Sequence, residues 1–178
     1  MGTTAARMAN CRYASSMEPT QRVREALRDL AIDEDVVEFA ESTATAADAA
    51  KAVGCELGQI VKTLFFLANG RPTVVLAAGD RHVDTAKLAP ILGVGRKKLK
   101  MGTPEQVLEY TGYVLGGVAP FGMPAKHDVI VDESLKRFER VWAAAGTPSA
   151  VVGIATERLV TAIGGQWGDV VRDSSGEE

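Results

Sequence analysis

The sequence predicts an α/β fold: a single domain on a mixed, mostly antiparallel, barrel-like sheet surrounded by helices. Three observations lead there. Helix-patterned and strand-patterned segments are mixed along the chain, with no linker or internal repeat between them. Residues 59–68 (Gln-Ile-Val-Lys-Thr-Leu-Phe-Phe-Leu-Ala) carry a strong strand signal. Asn69-Gly70 then turns the chain into a second strand over 72–78, which argues against an all-parallel sheet. The length of 178 residues suits one domain with a substantial core.

The elements follow in order. Pro19 and Thr20 open a helix in which Val23, Ala26, Leu27 and Leu30 recur at helical spacing. Residues 36–39 form a short β-prone run. Thr45 caps a helix that reaches Val53 and stops at Gly54. After the hairpin, 83–92 reads as a helix ended by Gly93. Thr103-Pro104-Glu105 starts another, ended by Gly112, with Thr as cap and Pro at the first helical position. Residues 113–115, 129–131, 141–144 and 151–154 read as strands, and 156–163 as a last helix. The folded unit is expected over 19–171, with 1–18 a disordered extension and 172–178 a disordered tail.

Composition excludes several classes. Apolar residues make up 46% and charged residues 24%, which places the chain among ordinary globular proteins. A net charge of −3 gives no global attraction to a polyanion, so any nucleic-acid contact needs a local basic patch. No apolar run reaches the ~18 residues a membrane span requires, and no secretory h-region is present, so a cytoplasmic protein is expected. Cys11 and Cys55 form no disulfide framework and read as reduced thiols. His82 and His127 each lack a second His or Cys at ligand spacing, so neither a metal site nor a cofactor is expected. The chain holds no Gly-x-Ser-x-Gly elbow, no phosphate loop and no dinucleotide fingerprint after a strand.

Three features stand out. Lys62 interrupts an otherwise apolar strand, on the same face as Ile60 and Leu64, with Val61 and Thr63 opposite. Were that face buried, the ammonium would need a carboxylate or a polar cavity; an edge position would leave it a solvated lysine. Residues 116–122 (Gly-Gly-Val-Ala-Pro-Phe-Gly) have little side-chain bulk, which suits either backbone contact with a ligand or a plain turn. Arg96, Lys97, Lys98 and Lys100 form a basic run that suits phosphate contacts or a solvated face.

Taken together and in order, four stretches resemble the YbaK / prolyl-tRNA-synthetase-associated family of aminoacyl-tRNA deacylases. They are Gly58–Phe66, Ala78–Asp84 (Ala-Gly-Asp-Arg-His-Val-Asp), Thr111–Gly122 and Val129–Leu135, and the likeness covers roughly 36–165. The resemblance implies an editing hydrolase that clears mischarged tRNA. Lys62 matches the family's critical strand lysine, and Gly116 and Pro120 match the ends of its Gly-x-x-x-Pro loop. Asp132 matches an acidic residue near the pocket, and these matches assign Lys62, Gly116 and Asp132 to catalysis. Phe39, Thr63, Gly117 and Pro120 are assigned to substrate binding, and Lys97, Lys98 and Lys100 to tRNA. Phe39-Ala40-Glu41 departs from the Tyr- and His-containing stretch of the Cys-tRNA(Pro)-editing members, which leaves the amino acid open.

The implied chemistry needs no protein nucleophile, because an aminoacyl ester is already activated. Positioning the ester and a water, and stabilising the oxyanion, is enough, with a hydroxyl of the terminal ribose helping to activate the water. Mischarged tRNA is the expected partner, an aminoacyl-tRNA synthetase is an open second partner, and DNA is not expected. Two other classes stay open: a non-catalytic RNA- or nucleotide-binding module, and a hydrolase of small esters or amides. If the basic run grips tRNA, replacing Lys97, Lys98 and Lys100 together with Gln weakens tRNA binding and flattens its salt dependence. An unchanged slope in filter binding between low and moderate salt makes the run a solvated face.

Overall fold

The computed structural model describes residues 17–172. The expectations for the 1–18 extension, apart from its last two residues, and for the tail beyond Arg172 lie outside the described residues, as does Cys11. Helix α1 (Pro19–Asp29) starts with Pro at its first position and buries Val23 and Leu27. Strand β1 (Val36–Glu38) is followed by α2 (Ala46–Val53), where the Thr45 hydroxyl accepts from the Asp48 N–H and Gly54 closes in the left-handed region. β2 (Ile60–Ala68) and β3 (Arg71–Ala78) form the hairpin. Asn69 and Gly70 take φ of +51° and +82°, the paired positive values of a two-residue hairpin turn.

Next come α3 (Thr85–Ile91), β4 (Leu99–Met101), α4 (Pro104–Thr111), β5 (Asp128–Asp132), β6 (Arg140–Ala144), β7 (Ala150–Ala155), α5 (Thr156–Ile163) and β8 (Gln166–Gly168). Thr103 and Gln106 exchange the two bonds of a capping box at the start of α4. Among the described residues, no helix is long and apolar enough to cross a membrane.

The sheet is open and runs β1-β7-β6-β2-β3-β5-β8, with β4 paired to β2. Four of its seven strand pairings are antiparallel and three parallel, namely β2–β6, β3–β5 and β5–β8. Strand alternation sends Val61 and Phe65 with Val74, Leu76 and Ala78 to one face, into the main core with Val23, Leu27, Leu159 and Val160. The other face is covered in two patches. α3 packs Leu88 and Ala89 on Phe66 and Val75, and α2 packs Ala49 and Ala50 on Ile60. Lys62 lies on that second face, between the two patches.

One expectation about elements is corrected, and two short strands are added to those the sequence shows. Residues 113–115 form a loop: the Thr111 hydroxyl accepts the Tyr113 N–H, the Tyr113 hydroxyl donates to the Phe121 carbonyl at 2.6 Å, and the Arg22 guanidinium stacks 4.5 Å above the ring. Burial of that one ring in the main core, with Val114 and Leu115 left exposed, outweighs the β-propensity of the run. β4 and β8 were not anticipated, since three residues are too few to show alternation.

Asp132 is buried at the end of β5. One carboxylate oxygen accepts the Ser134 N–H at 2.8 Å and the other accepts the Val170 N–H at 2.9 Å, tying the turn after β5 to the C-terminal segment. Asp132→Ala strips the partner from both N–H groups and is expected to cost about 2–4 kcal/mol, measured by urea unfolding. Unaltered stability refutes this anchoring role.

Candidate active site

A cavity of about 210 Å³ opens where β2 changes neighbours along one edge. β6 pairs with β2 only at Ile60 and Val61, and β4 only from Phe66 onward. Residues Lys62–Leu64 line the cavity in that gap, opposite the Thr43–Ala46 segment that leads into α2. Alanines supply much of the wall: Ala44, Ala46, Ala49, Ala143, Ala144 and Ala150. Trp142 and Val151 add apolar surface.

Lys62 is half-buried and donates from Nζ to the Arg81 carbonyl at 2.9 Å. The hairpin register makes this contact: Lys62 pairs with Ala77, and β3 ends one residue later in the turn that carries Arg81. Burial pushes the lysine below its ordinary pKa, and the nearby Asp80 carboxylate partly restores it. Asp80 is itself gripped by Arg137, whose two terminal nitrogens reach its oxygens at 2.7 and 3.0 Å. That grip holds its carboxyl below the usual range. The Thr63 hydroxyl is buried and no protein group hydrogen-bonds it.

The expected site residues separate into two groups. Lys62, Thr63 and Gly116 meet at the cavity. Gly117 lies just behind, its N–H donated to the Val114 carbonyl and its carbonyl accepting from Gly146. Pro120 lines a different cavity, beside Phe121, Met123 and His127, so the two ends of the glycine-rich loop face different chambers. Phe39 is half-buried just past β1, where its N–H donates to the Ser149 carbonyl, outside the cavity lining. Asp132 lies two strands from Lys62, one residue past the Leu76–Val131 pair of β3 and β5, about 10 Å away at ~4.8 Å per strand, and pairs on its far side with Gly168 of β8; its carboxylate is committed to backbone. Lys97, Lys98 and Lys100 are exposed on β4 and the short turn of helix before it.

Asp80, Arg137, Ala44 and Trp142 were not singled out from the sequence. Asp80 was reachable: counting outward from Asn69-Gly70 puts residue 77 opposite 62, and Asp80 three residues on. The others come from distant segments whose approach leaves no local signal. Cys55 is half-buried, and burial raises its thiol above the ordinary pKa, with the Glu56 charge adding to the rise. That is the opposite of an activated nucleophile. Among the described residues, no three His, Cys, Asp or Glu side chains gather as a metal ligand set.

Residues 40–162 match the aminoacyl-tRNA editing domain, and the chain belongs to that family. YwhH of Bacillus subtilis is 36% identical over 143 residues, 79% of this chain and 89% of YwhH. EbsC of Enterococcus faecalis, provisionally named a Cys-tRNA(Pro)/Cys-tRNA(Cys) deacylase, is 29% identical over 133 residues, 74% of this chain and 80% of EbsC. A crystal structure described as a candidate trans-editing enzyme for prolyl-tRNA synthetase superposes with a TM-score of 0.82 at 37% identity. The match covers 89% of this chain and all of that one.

Gly116 sits at the cavity wall with φ of +85°, and a Cβ there would lie 3.0 Å from the Ala44 Cβ. The positive φ and the Thr43–Ala46 segment therefore both require glycine. Gly116→Ala is expected to cost about 1–2 kcal/mol from the backbone alone. It also pushes the facing wall outward, so whatever activity the cavity supports is expected to drop per folded molecule. Thermal unfolding alongside single-turnover rates separates the effects, and a full rate in a destabilised variant makes the loop a plain turn.

Proposed function

We propose that the chain is a trans-acting aminoacyl-tRNA deacylase that hydrolyses the ester joining a small, uncharged amino acid to the terminal ribose of mischarged tRNA. The observation that carries this reading is the cavity: a lysine at a small, alanine-walled chamber in the segment matched to the editing family. The names of EbsC and of the structural relative point the same way, and make tRNA charged by prolyl-tRNA synthetase the first substrate to try.

The chemistry follows from what each group can offer. An ammonium has three N–H donors, and Arg81 takes one of Lys62's. The other two are available to the ester carbonyl as it becomes an oxyanion, or to the ribose. No thiol, triad or metal is required, since the ester is activated and a ribose hydroxyl of the substrate can assist the attacking water. The alanine walls select by exclusion. Extra contact from one methylene discriminates by only about 1–3 kcal/mol, so a small chamber rejects larger side chains by clash.

The test is hydrolysis of Ala-, Cys- and Ser-charged tRNA(Pro), with correctly charged Pro-tRNA(Pro) as control. One mischarged species is expected to turn over and the cognate one to survive. Lys62→Ala is expected to lower the rate about 10²–10³-fold, the scale of losing an oxyanion donor, at an unaltered melting temperature. Burial disfavours the charged lysine, so its proton is lost at a lower pH than from an exposed one. Enzymatic turnover, corrected for hydroxide hydrolysis, is therefore full on the acid side and fades below the ordinary lysine range. Binding of every substrate without turnover, or full activity in Lys62→Ala, rejects the reading.

A further inference from the structure

We infer that a second cavity, on the other side of Lys62 from the acyl chamber, holds backbone phosphates of the RNA strand whose 3′ end carries the ester. The identity of that strand rests on the deacylase reading; the phosphate chemistry does not. The cavity, about 320 Å³, shares Lys62 and Leu64 with the acyl chamber. Lys62, Arg81, His82 and Arg172 all line it, and no acidic residue does, in a chain whose net charge is −3.

This cluster is built by the fold. Its members come from β2, from the turn after β3, and from the C-terminal segment. Val83 and Val171 form an antiparallel bridge, and the Arg172 N–H donates to the His82 carbonyl at 2.9 Å. Backbone bonds therefore seat Arg172 beside His82. The carboxylates nearby are hydrogen-bonded elsewhere, Asp132 to two backbone N–H groups, Asp169 to Lys87 and Asp80 to Arg137, although the Asp80 charge still acts on Lys62 and Arg81. Among the described residues, neither Arg81 nor Arg172 makes an ion pair. Two unpaired guanidiniums offer planar forks that match phosphate oxygens.

The surroundings favour a chain of phosphates over a single anion. Thr85 and Met101 line the far side of the cavity, and Arg96 donates from Nε to the Thr85 hydroxyl at 3.3 Å. β4, which carries Lys100, pairs with β2 at Phe66–Ala68, about 13–20 Å along the strand from Lys62 at ~3.3 Å per residue. Arg96 thus continues the track: acyl group in the first chamber, ester at Lys62, phosphates in the second cavity, and the strand leaving past Thr85 and Arg96, whereas Lys100, opposite Leu67, lies on the other face of the sheet.

The experiment uses the full chain with three probes: the 5′-phosphorylated trinucleotide CCA, adenosine, and inorganic phosphate. CCA is expected to shift the backbone amide signals of Arg81, His82 and Arg172 in ¹⁵N–¹H spectra. The double variant Arg81→Gln/Arg172→Gln is expected to bind CCA at least tenfold more weakly. Its salt slope should be flatter by about 0.7 for each phosphate it no longer neutralises, with adenosine binding the same in both proteins. The Arg81 substitution keeps the carbonyl that receives Lys62. If the double variant melts early, the single variants decide: Arg172→Gln must lose CCA affinity, and Arg172→Lys, which keeps the charge without the fork, must lose less of it. Equal CCA affinity in wild type and variant, shifts confined to other residues, or inorganic phosphate binding as tightly as CCA overturns the inference. CCA binding needs no turnover, so shifts at these amides in a protein that hydrolyses no mischarged tRNA would sink the deacylase reading and leave this one standing.

Discussion

The pairing of β2 with β3 holds the lysine, its hydrogen-bond partner and both cavities in one frame. Eight residue pairs run from Val61–Ala78 to Ala68–Arg71, and the two-residue turn at Asn69-Gly70 allows no slack in the register. A slip of one residue would turn Lys62 into the main core, where an ammonium has no partner, and turn Val61 and Phe65 out of it. In the observed register the turn after β3 returns its Arg81 carbonyl to the lysine, and Asp80 stands close enough to favour the charged form. The hairpin thus offsets part of the desolvation of a charge in a largely apolar strand.

Around that frame, the acyl chamber exists because two kinds of coverage stop short. Neither α2 nor α3 reaches over Lys62 on the sheet face, and neither β6 nor β4 pairs with Lys62–Leu64 along the edge. Larger side chains could have closed such a gap; alanines leave it open. An unpartnered buried hydroxyl at Thr63 adds a local cost of about 1–3 kcal/mol.

How much of this was legible in the sequence depends on the range of each signal. The helix starts at Thr45 and Thr103, the stops at Gly54 and Gly112, and the hairpin turn are local, decided by residues two to four apart, and they could be read directly. Lys62 could be picked out because a charge breaks an apolar run. The loop at 116–122 was read as one functional unit, yet Gly116 and Pro120 face different cavities, because the fold of the loop follows the burial of Tyr113 beneath Arg22. Asp132 is expected near the pocket, yet it is absent from the cavity lining and its carboxylate is held by the Ser134 and Val170 N–H groups, the second of them 38 residues away and beyond the reach of a local pattern.

The sequence by itself determined the longer helices and strands, the hairpin register and a charged side chain on a strand that would otherwise be core, because these follow from local backbone preference and from the two-residue period of a strand. The tertiary structure alone decided which strands lie parallel, where the helices leave the sheet bare, and that Arg81, His82 and Arg172 converge on the far side of Lys62. Those outcomes depend on burying apolar surface between segments far apart in the chain. The hydrophobic effect that drives such burial is non-directional, so no single stretch of sequence carries its answer.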